Sequence, residues 1–552
     1  MEKWTHVYDP LGKLMPSPEY LLSALVAAIP LYLLFYMLAF KRSAGHKAAM
    51  VGTGSAVLLA MAVWGMPVPL ALSATAYGAL FGLFPIVWIV ITAVWVYNMT
   101  VESGEFEIIK ESLAALTDDR RLQAIFIAFA FGAFIEGTAG FGTPVAITAA
   151  MLAGLGFNPL YAAGICLIAN TAPVAFGAIG IPIIVAAQTS GLDMQTISSI
   201  AGRQLPLLSF IVPAWLCVTM CGFKRTLEVV PALLVAGLSF AGAQFIFSNY
   251  HGPYLPDIMS AIITIVAMVI LLRVWKPKQS WRFPDEPPRK SVTLSYSMGE
   301  VLRAWSPYII LAAMVFVWGL VTFKNFVKPF DGVRFAWPML HGFVERTAPI
   351  VKANAVYGAF FNFNIISAAG TAILFSGIIS IFVMPKYGFD KAIACFFRTC
   401  HQLRFPILTI ALILGLAFIM NYSGMSSSLG LAFTKTGGFF PFFAPILGWL
   451  GVFLTGSDTS SNALFSGLQR TTAEAVGVDP HLTVAANSTG GVTGKMISPQ
   501  SISVATAATG LIGQDGNIFR FTLWHSIGML AILSVLTYLQ AYGLSWMLPV
   551  AP

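Results

Sequence analysis

Charge is scarce in this sequence. Of its 552 residues only 10% are Asp, Glu, Lys or Arg, while 57% are hydrophobic, and the mean hydropathy is +0.80. Such a balance excludes a soluble globular domain and places the chain among integral membrane proteins. Cysteine is also sparse. Cys166, Cys217, Cys221, Cys395 and Cys400 lie in or beside apolar runs with no CxxC pair and no clustered histidine, so they read as packing residues and no metal site is expected. There is no HExxH and no paired Ser/His/Asp set, which argues against a membrane-embedded enzyme. Gly140-x-Gly142 and Gly490-Gly491 resemble phosphate loops only in isolation, because no GxGxxG or GK[ST] context follows a strand; no nucleotide or other cofactor is expected. The net charge of +8 does not point to nucleic acid, since the basic residues sit in short loops between apolar runs, where they orient the chain in a bilayer.

What the chain has in abundance is apolar runs of spanning length. The first, Leu21 to Phe40, is too long for the apolar core of a cleaved signal peptide. Others lie near Ala48–Gly65, Tyr77–Tyr97, Pro206–Phe223, Val229–Ser248, Ile258–Trp275, Ser306–Phe323, Ile365–Met384, Phe405–Met420 and Phe521–Trp546. With hairpins and broken helices this makes about 12–14 membrane segments at ~20 residues per span. Lys41, Arg42, Lys47, Lys110, Arg120, Arg121, Lys224, Arg225, the basic stretch Lys276–Lys290, Lys386, Lys391, Arg398 and Arg404 all fall on one side, which the positive-inside rule makes cytoplasmic. Both termini are then outside. Lys324–Lys352, with five basic residues, lands outside too and reads as a folded extracellular cap. Glu102–Arg121 reads as an amphipathic helix on the cytoplasmic face.

The informative stretch is Phe131–Pro182, FGAFIEGTAGFGTPVAITAAMLAGLGFNPLYAAGICLIANTAPVAFGAIGIP. It is apolar enough for lipid, yet it is dense in Gly, Pro, Thr and Asn and carries the lone carboxylate Glu136. Glycine and proline free backbone N–H and C=O groups, which hydrocarbon tolerates only where protein or a water-filled cavity satisfies them. The pattern predicts a re-entrant hairpin over 123–156, tip EGTAGFGTP, and a broken helix over 160–190. Such elements hold substrate and coupling ion in secondary transporters.

The second half repeats the pattern. GVFLTGSDTSSNALFSGL (Gly451–Leu468) aligns with GAFIEGTAGFGTPVAITA (Gly132–Ala149), and NSTGGVTGKMISP (Asn487–Pro499) with NTAPVAFGAIGIP (Asn170–Pro182). This predicts a second hairpin over 444–469, entering from the opposite side, and a second broken helix over 482–512. The expected fold is an all-α polytopic membrane protein of two inverted repeats, a first half 1–275 and a second half 306–552 joined by a basic cytoplasmic linker 276–305. A homodimer is compatible with it.

EGTAGFGTPVAITAAML, NTAPVAFGAIGIPI, GWLGVFLTGSDTSSNALF and AANSTGGVTGKMISPQSISVA resemble the bacterial L-lactate permease family, as do the YDPLG start and the LQAYGLSWMLP end. The resemblance implies a proton-coupled symporter of L-lactate and related 2-hydroxy monocarboxylates such as D-lactate and glycolate, in the bacterial cytoplasmic membrane. It also implies membership of a wider superfamily with inverted repeats, re-entrant hairpins and, in several members, elevator motion. That superfamily includes sodium users, so a sodium-coupled carboxylate symporter is the alternative.

Candidate site residues follow from chemistry. A carboxylate substrate needs positive potential without a large fixed charge, and helix ends opened at breaks supply it. Thr138, Gly140, Gly142, Thr143, Asn170, Thr171, Ser457, Ser460, Ser461, Asn487 and Ser488 are the small donors and turns at those openings; the competing role for each hydroxyl is a bond across helices or back to its own helix. Lys495, an isolated cation in the second broken segment, is the candidate to meet the substrate carboxylate, against a lysine that snorkels to an interface. Glu136 and Asp458, one in each hairpin tip, are the candidate proton carriers, since desolvation disfavours the charged carboxylate. Their competing role is capping of helix N–H groups.

Overall fold

The computed structural model describes residues 3–12, 20–41, 43–140, 142–284, 295–351, 353–385, 387–511 and 513–549. Arg42, Arg289, Lys290, Lys352 and Lys386 of the orientation pattern, and Phe141 of the first hairpin tip, lie outside the described residues. Nine helices among the described residues are long and apolar enough to cross a bilayer, or up to 11 when two bent pairs each count as one span. The protein is a multi-pass, mostly helical membrane protein.

Helices fall into two environments. In Met298–Gly319 only 33% of the apolar window is buried, so most of that surface is left for lipid. In Arg120–Thr138 the window is entirely buried, so this helix is sheathed by protein on all sides. It is the entering arm of the first hairpin; Thr143–Leu155 is the returning arm, and Gly140 and Gly142 turn the chain between them at φ of 58° and 83°. The broken helix follows as Pro159–Ala169 and Val174–Ser190, bent by 62°. At its centre Ala178, Ile179 and Gly180 hold left-handed backbone at φ of 45°, 59° and 76°. Non-glycine residues there cost about 1–3 kcal/mol each, a strain that persists only where surrounding packing imposes it and that concentrates at functional sites.

The second copy runs Phe440–Thr455, a turn at Gly456–Ser457, Asp458–Val476, then Pro480–Lys495 and Pro499–Thr509. Its break differs from expectation. The helix continues through Asn487 and the glycines of NSTGGVTG to Lys495, and the interruption comes at Met496–Ser498. Packing explains the difference. A Cβ at Gly490 would collide with the carbonyl of Pro445 and one at Gly494 with that of Trp449, so these glycines let two helix backbones close on one another.

The expected cap is present and contains the strands that the sequence reading lacked. Val333–Ala336 pairs antiparallel with Phe360–Phe363, while Val344–Arg346 lies between Trp4–Thr5 and Ala355–Val356. Strands of two to four residues leave no readable alternation, and one of them comes from the chain's beginning. At the other end of the hairpin, Arg121 is a clamp. Its guanidinium is fully buried between Asp119, at 2.7 Å, and Glu228, at 2.8 Å, and Asp119 accepts the backbone N–H of Trp281 at 3.0 Å. The amphipathic helix is Glu105–Ala114, its Phe106 ring tilted against Phe131 of the hairpin at 5.8 Å between centroids.

Candidate functional site

All four interruptions meet at one cavity. It is lined by Gly140 and Gly142 of the first hairpin tip, Gly177, Ala178 and Pro182 of the first break, Gly456 to Thr459 of the second tip, and Lys495, Gln500 and Ser501 around the second break. Its free space is about 60 Å³, well above the ~10–15 Å³ that a single water needs. The turns fit because they lack side chains. A Cβ on Gly140 would sit 2.9 Å from that of Ala178, and one on Gly456, itself at φ 71°, would collide with Gln500.

Into this cavity project an acid from one half and a base from the other. Lys495, the last helical residue before the second break, places Nζ 3.2 Å from Oε1 of Glu136. The two side chains are 10% and 3% exposed, and Oε2 of Glu136 is buried without a partner among the described residues. Lys495 is therefore a buried, paired lysine, which removes the snorkelling alternative. Removal of either member from such a pair leaves a buried charge uncompensated, at a cost of about 3–5 kcal/mol.

Asp458 lies at the start of its helix, after Ser457, whose hydroxyl caps the N–H of Ser460 at 3.2 Å. Asp458 Oδ2 accepts from Ser488 Oγ at 2.6 Å and from Asn462 Nδ2 at 3.4 Å, and its Oδ1 has no partner among the described residues. Asn462 Nδ2 also reaches the carbonyl of Pro182 at 3.2 Å, which ties the second hairpin to the first break.

Of the residues singled out in the sequence, Glu136, Gly140, Gly142, Ser457, Asp458 and Lys495 line the cavity. The rest are placed otherwise. Thr138 bonds back to the carbonyl of Phe134 at 3.0 Å, and Ser461 bonds across to Gly448 at 3.1 Å. Thr143 starts the returning arm, its N–H on the carbonyl of Gly140. Asn487 is not at a break. It sits inside Pro480–Lys495, donating to Asn462 Oδ1 at 2.9 Å and accepting from Gln469 at 3.1 Å, so it is part of a buried amide network behind Asp458. Asn170 and Thr171 do occupy the first break, buried, with amide and hydroxyl unpartnered among the described residues, but they do not line this cavity.

The L-lactate permease family matches residues 23–544 of this sequence. The chain belongs to that family. It is 49% identical to the glycolate permease GlcA of Escherichia coli strain K12 over 565 residues, covering 99% of this chain and 100% of that protein. It is 47% identical to the L-lactate permease of Bacillus subtilis strain 168, covering 99% and 100%, and 48% identical to the L-lactate permease of Escherichia coli strain K12, covering 100% of both. Among solved structures, the Neisseria gonorrhoeae efflux pump MtrF aligns over 86% of this chain and 83% of its own, at 13% identity and a TM-score of 0.45.

In this member of the permease family, sequence reasoning missed Asn462, Gln469, Gln500 and Asp257. Asn462 stood in the quoted tip motif, four residues after Asp458 and so on the same helix face, which was a usable signal. Asp257, in the first turn of Pro256–Val274, has both carboxyl oxygens buried without partners and packs against Gly137, the residue after Glu136. Its signal was a single acid at the head of an otherwise apolar span.

Proposed function

We propose that the protein is a secondary active transporter that carries L-lactate and related 2-hydroxy monocarboxylates, D-lactate and glycolate among them, together with a proton across the bacterial cytoplasmic membrane. The names of its relatives support the substrate class. The observation that carries the coupling is the Glu136–Lys495 pair at the junction of the four interruptions.

While the pair stands, the ammonium of Lys495 is spoken for and a substrate carboxylate finds no cation. A proton on Glu136 dissolves the pair and releases Lys495, and the substrate carboxylate then takes the place that the Glu136 carboxylate gave up. Either event alone is costly. Substrate without the proton sets two carboxylates against one ammonium, and the proton without substrate leaves a buried ammonium unpaired. The fully loaded and fully empty states are thus the favoured ones, and proton and acid travel together. The openings at Ser457 and Ser498, each capping a helix start, add the positive ends of two helix dipoles. Binding then shifts the balance between the two access states by no more than its differential affinity for them. In this reading the cap and both chain ends face outside.

The test is uptake of radiolabelled L-lactate into proteoliposomes under an imposed pH gradient, wild type beside Glu136→Gln. The variant is expected to exchange lactate across the membrane but not to concentrate it. Concentration of lactate by Glu136→Gln would show that the proton rides elsewhere. Uptake that persists at fixed pH and collapses without sodium would replace the proton with sodium.

A further inference from the structure

A second cavity lies on the cap side of the molecule, against the far end of the helix that begins at Asp458. Its floor is Arg470 and Thr471, twelve and thirteen residues on from Asp458, or ~18 Å along the axis. Its roof is Arg346, from the cap strand Val344–Arg346, and its walls include His6, Ser426 and Ser427. The free space is about 30 Å³, above the ~10–15 Å³ that a single water needs.

The lining carries two guanidiniums, Arg346 and Arg470, against one carboxylate, Glu474, and so is net positive. Arg470 is already engaged, with Glu474 at 2.7 Å and the carbonyl of Ser190 at 2.8 Å. Arg346 is not engaged in that way. It stacks on Tyr357 at 4.6 Å, its Nε is buried without a partner, and among the described residues it has no carboxylate partner. The cavity therefore holds one uncompensated positive charge. Ser426 and Ser427 occupy the first turn of Met425–Phe433, entered through Gly424 at φ 86°, so the positive end of that helix dipole adds to the guanidinium.

His6 supplies something different. It is 4% exposed, and its Nε2 lies 2.8 Å from the carbonyl of Tyr422. A carbonyl only accepts, so Nε2 carries the proton and Nδ1 is left as a lone-pair acceptor. Nδ1 is buried and has no partner among the described residues. Burial lowers the pKa of the ring to about 4, so the imidazole stays neutral and Nδ1 stays an acceptor at ordinary pH.

A guanidinium without a carboxylate, two hydroxyls at a helix start and a neutral histidine acceptor complement a carboxylate that bears a neighbouring hydroxyl. We infer that this cavity is a second subsite for the 2-hydroxy monocarboxylate, which it captures on the cap side before the acid reaches the central cavity. The inference rests on the transport reading above for the identity of the acid. Arg346, Ser426 and Ser427 take the carboxylate, and Nδ1 of His6 accepts the 2-hydroxyl. An acid without that hydroxyl leaves Nδ1 buried and unsatisfied, so the subsite favours lactate and glycolate over propionate and acetate.

The experiment measures KM and maximal rate of L-lactate uptake into proteoliposomes for the wild type, Arg346→Gln, Arg346→Lys and His6→Phe, with propionate as competitor. Arg346→Gln is expected to raise KM about tenfold while keeping at least about half the maximal rate, as loss of a charged hydrogen bond at a capture step requires. Arg346→Lys recovers most of the affinity, and His6→Phe narrows the preference for lactate over propionate about tenfold. If Arg346→Gln is not monodisperse after purification, the Ser426→Ala/Ser427→Ala double variant carries the same KM test. A KM within about twofold of wild type in the folded variant overturns the subsite alone, since the wild type still transports. Wild-type vesicles that accumulate neither lactate nor glycolate overturn the transport reading, and the subsite falls with it.

Discussion

Glu136 and Lys495 are 359 positions apart and meet at 3.2 Å. Lys495 was conspicuous in the sequence as an isolated cation at membrane depth, but its partner was not legible, because nothing local links an acid in one half to a base in the other. The pairing makes a stability prediction distinct from the transport one. Lys495→Met leaves the Glu136 carboxylate buried and alone and is expected to cost about 3–5 kcal/mol, read as a lowered melting temperature in detergent. Adding Glu136→Gln removes the stranded charge, and the double variant should regain most of that loss while transporting nothing. A double variant no more stable than Lys495→Met would mean that the lysine contributes through packing instead of charge. Asn487 shows the limit of residue-level reading from the other side: the repeat pattern set it opposite Asn170, yet Asn170 sits at a break and Asn487 in mid-helix.

Hairpins and broken helices were readable as elements because Gly, Pro and small polar residues interrupt apolar runs, a conflict hydrocarbon does not permit without compensation. The position of the second break was not readable. Glycine serves both to turn a chain and to let helices approach, and only the neighbouring helix Phe440–Thr455 shows that Gly490 and Gly494 do the second. Gly456 does the first. Gly456→Ala forces a Cβ onto left-handed backbone and into Gln500, and is expected to destabilise the protein by more than about 1 kcal/mol and to reduce lactate uptake at unchanged membrane abundance. The cap carries a pH dependence through His6, whose folded pKa of about 4 lies below the ordinary 6.5. The unfolded or detached strand then binds more protons than the docked one, so the stabilisation is full above pH 6.5 and is lost as the pH falls toward 4. Amide protection in Val344–Arg346, measured relative to the intrinsic exchange rate at each pH, should fall over that window in the wild type and change less in His6→Gln.

For the whole molecule, composition and basic loops settle membrane residence and predict a sidedness that labelling can check. A cysteine at exposed Val333, in the cap, is expected to react with a membrane-impermeant maleimide in intact cells, while one at exposed Lys278, in the basic linker, reacts only after permeabilisation. The opposite pattern would invert the topology. Taken by itself, the sequence determined that the chain is a polytopic helical membrane protein with two copies of a hairpin and a broken helix, because hydropathy and backbone-breaking residues are local properties that lipid enforces wherever they occur. Only the tertiary structure decided which of the many small polar residues face the cavity, that an acid from one repeat neutralises a base from the other, that Asp257 stands behind the first tip, and that the N-terminal strand completes the cap over a second cavity. Those are relations between segments hundreds of residues apart, fixed by the close approach of helix backbones, and no local pattern in the chain encodes them.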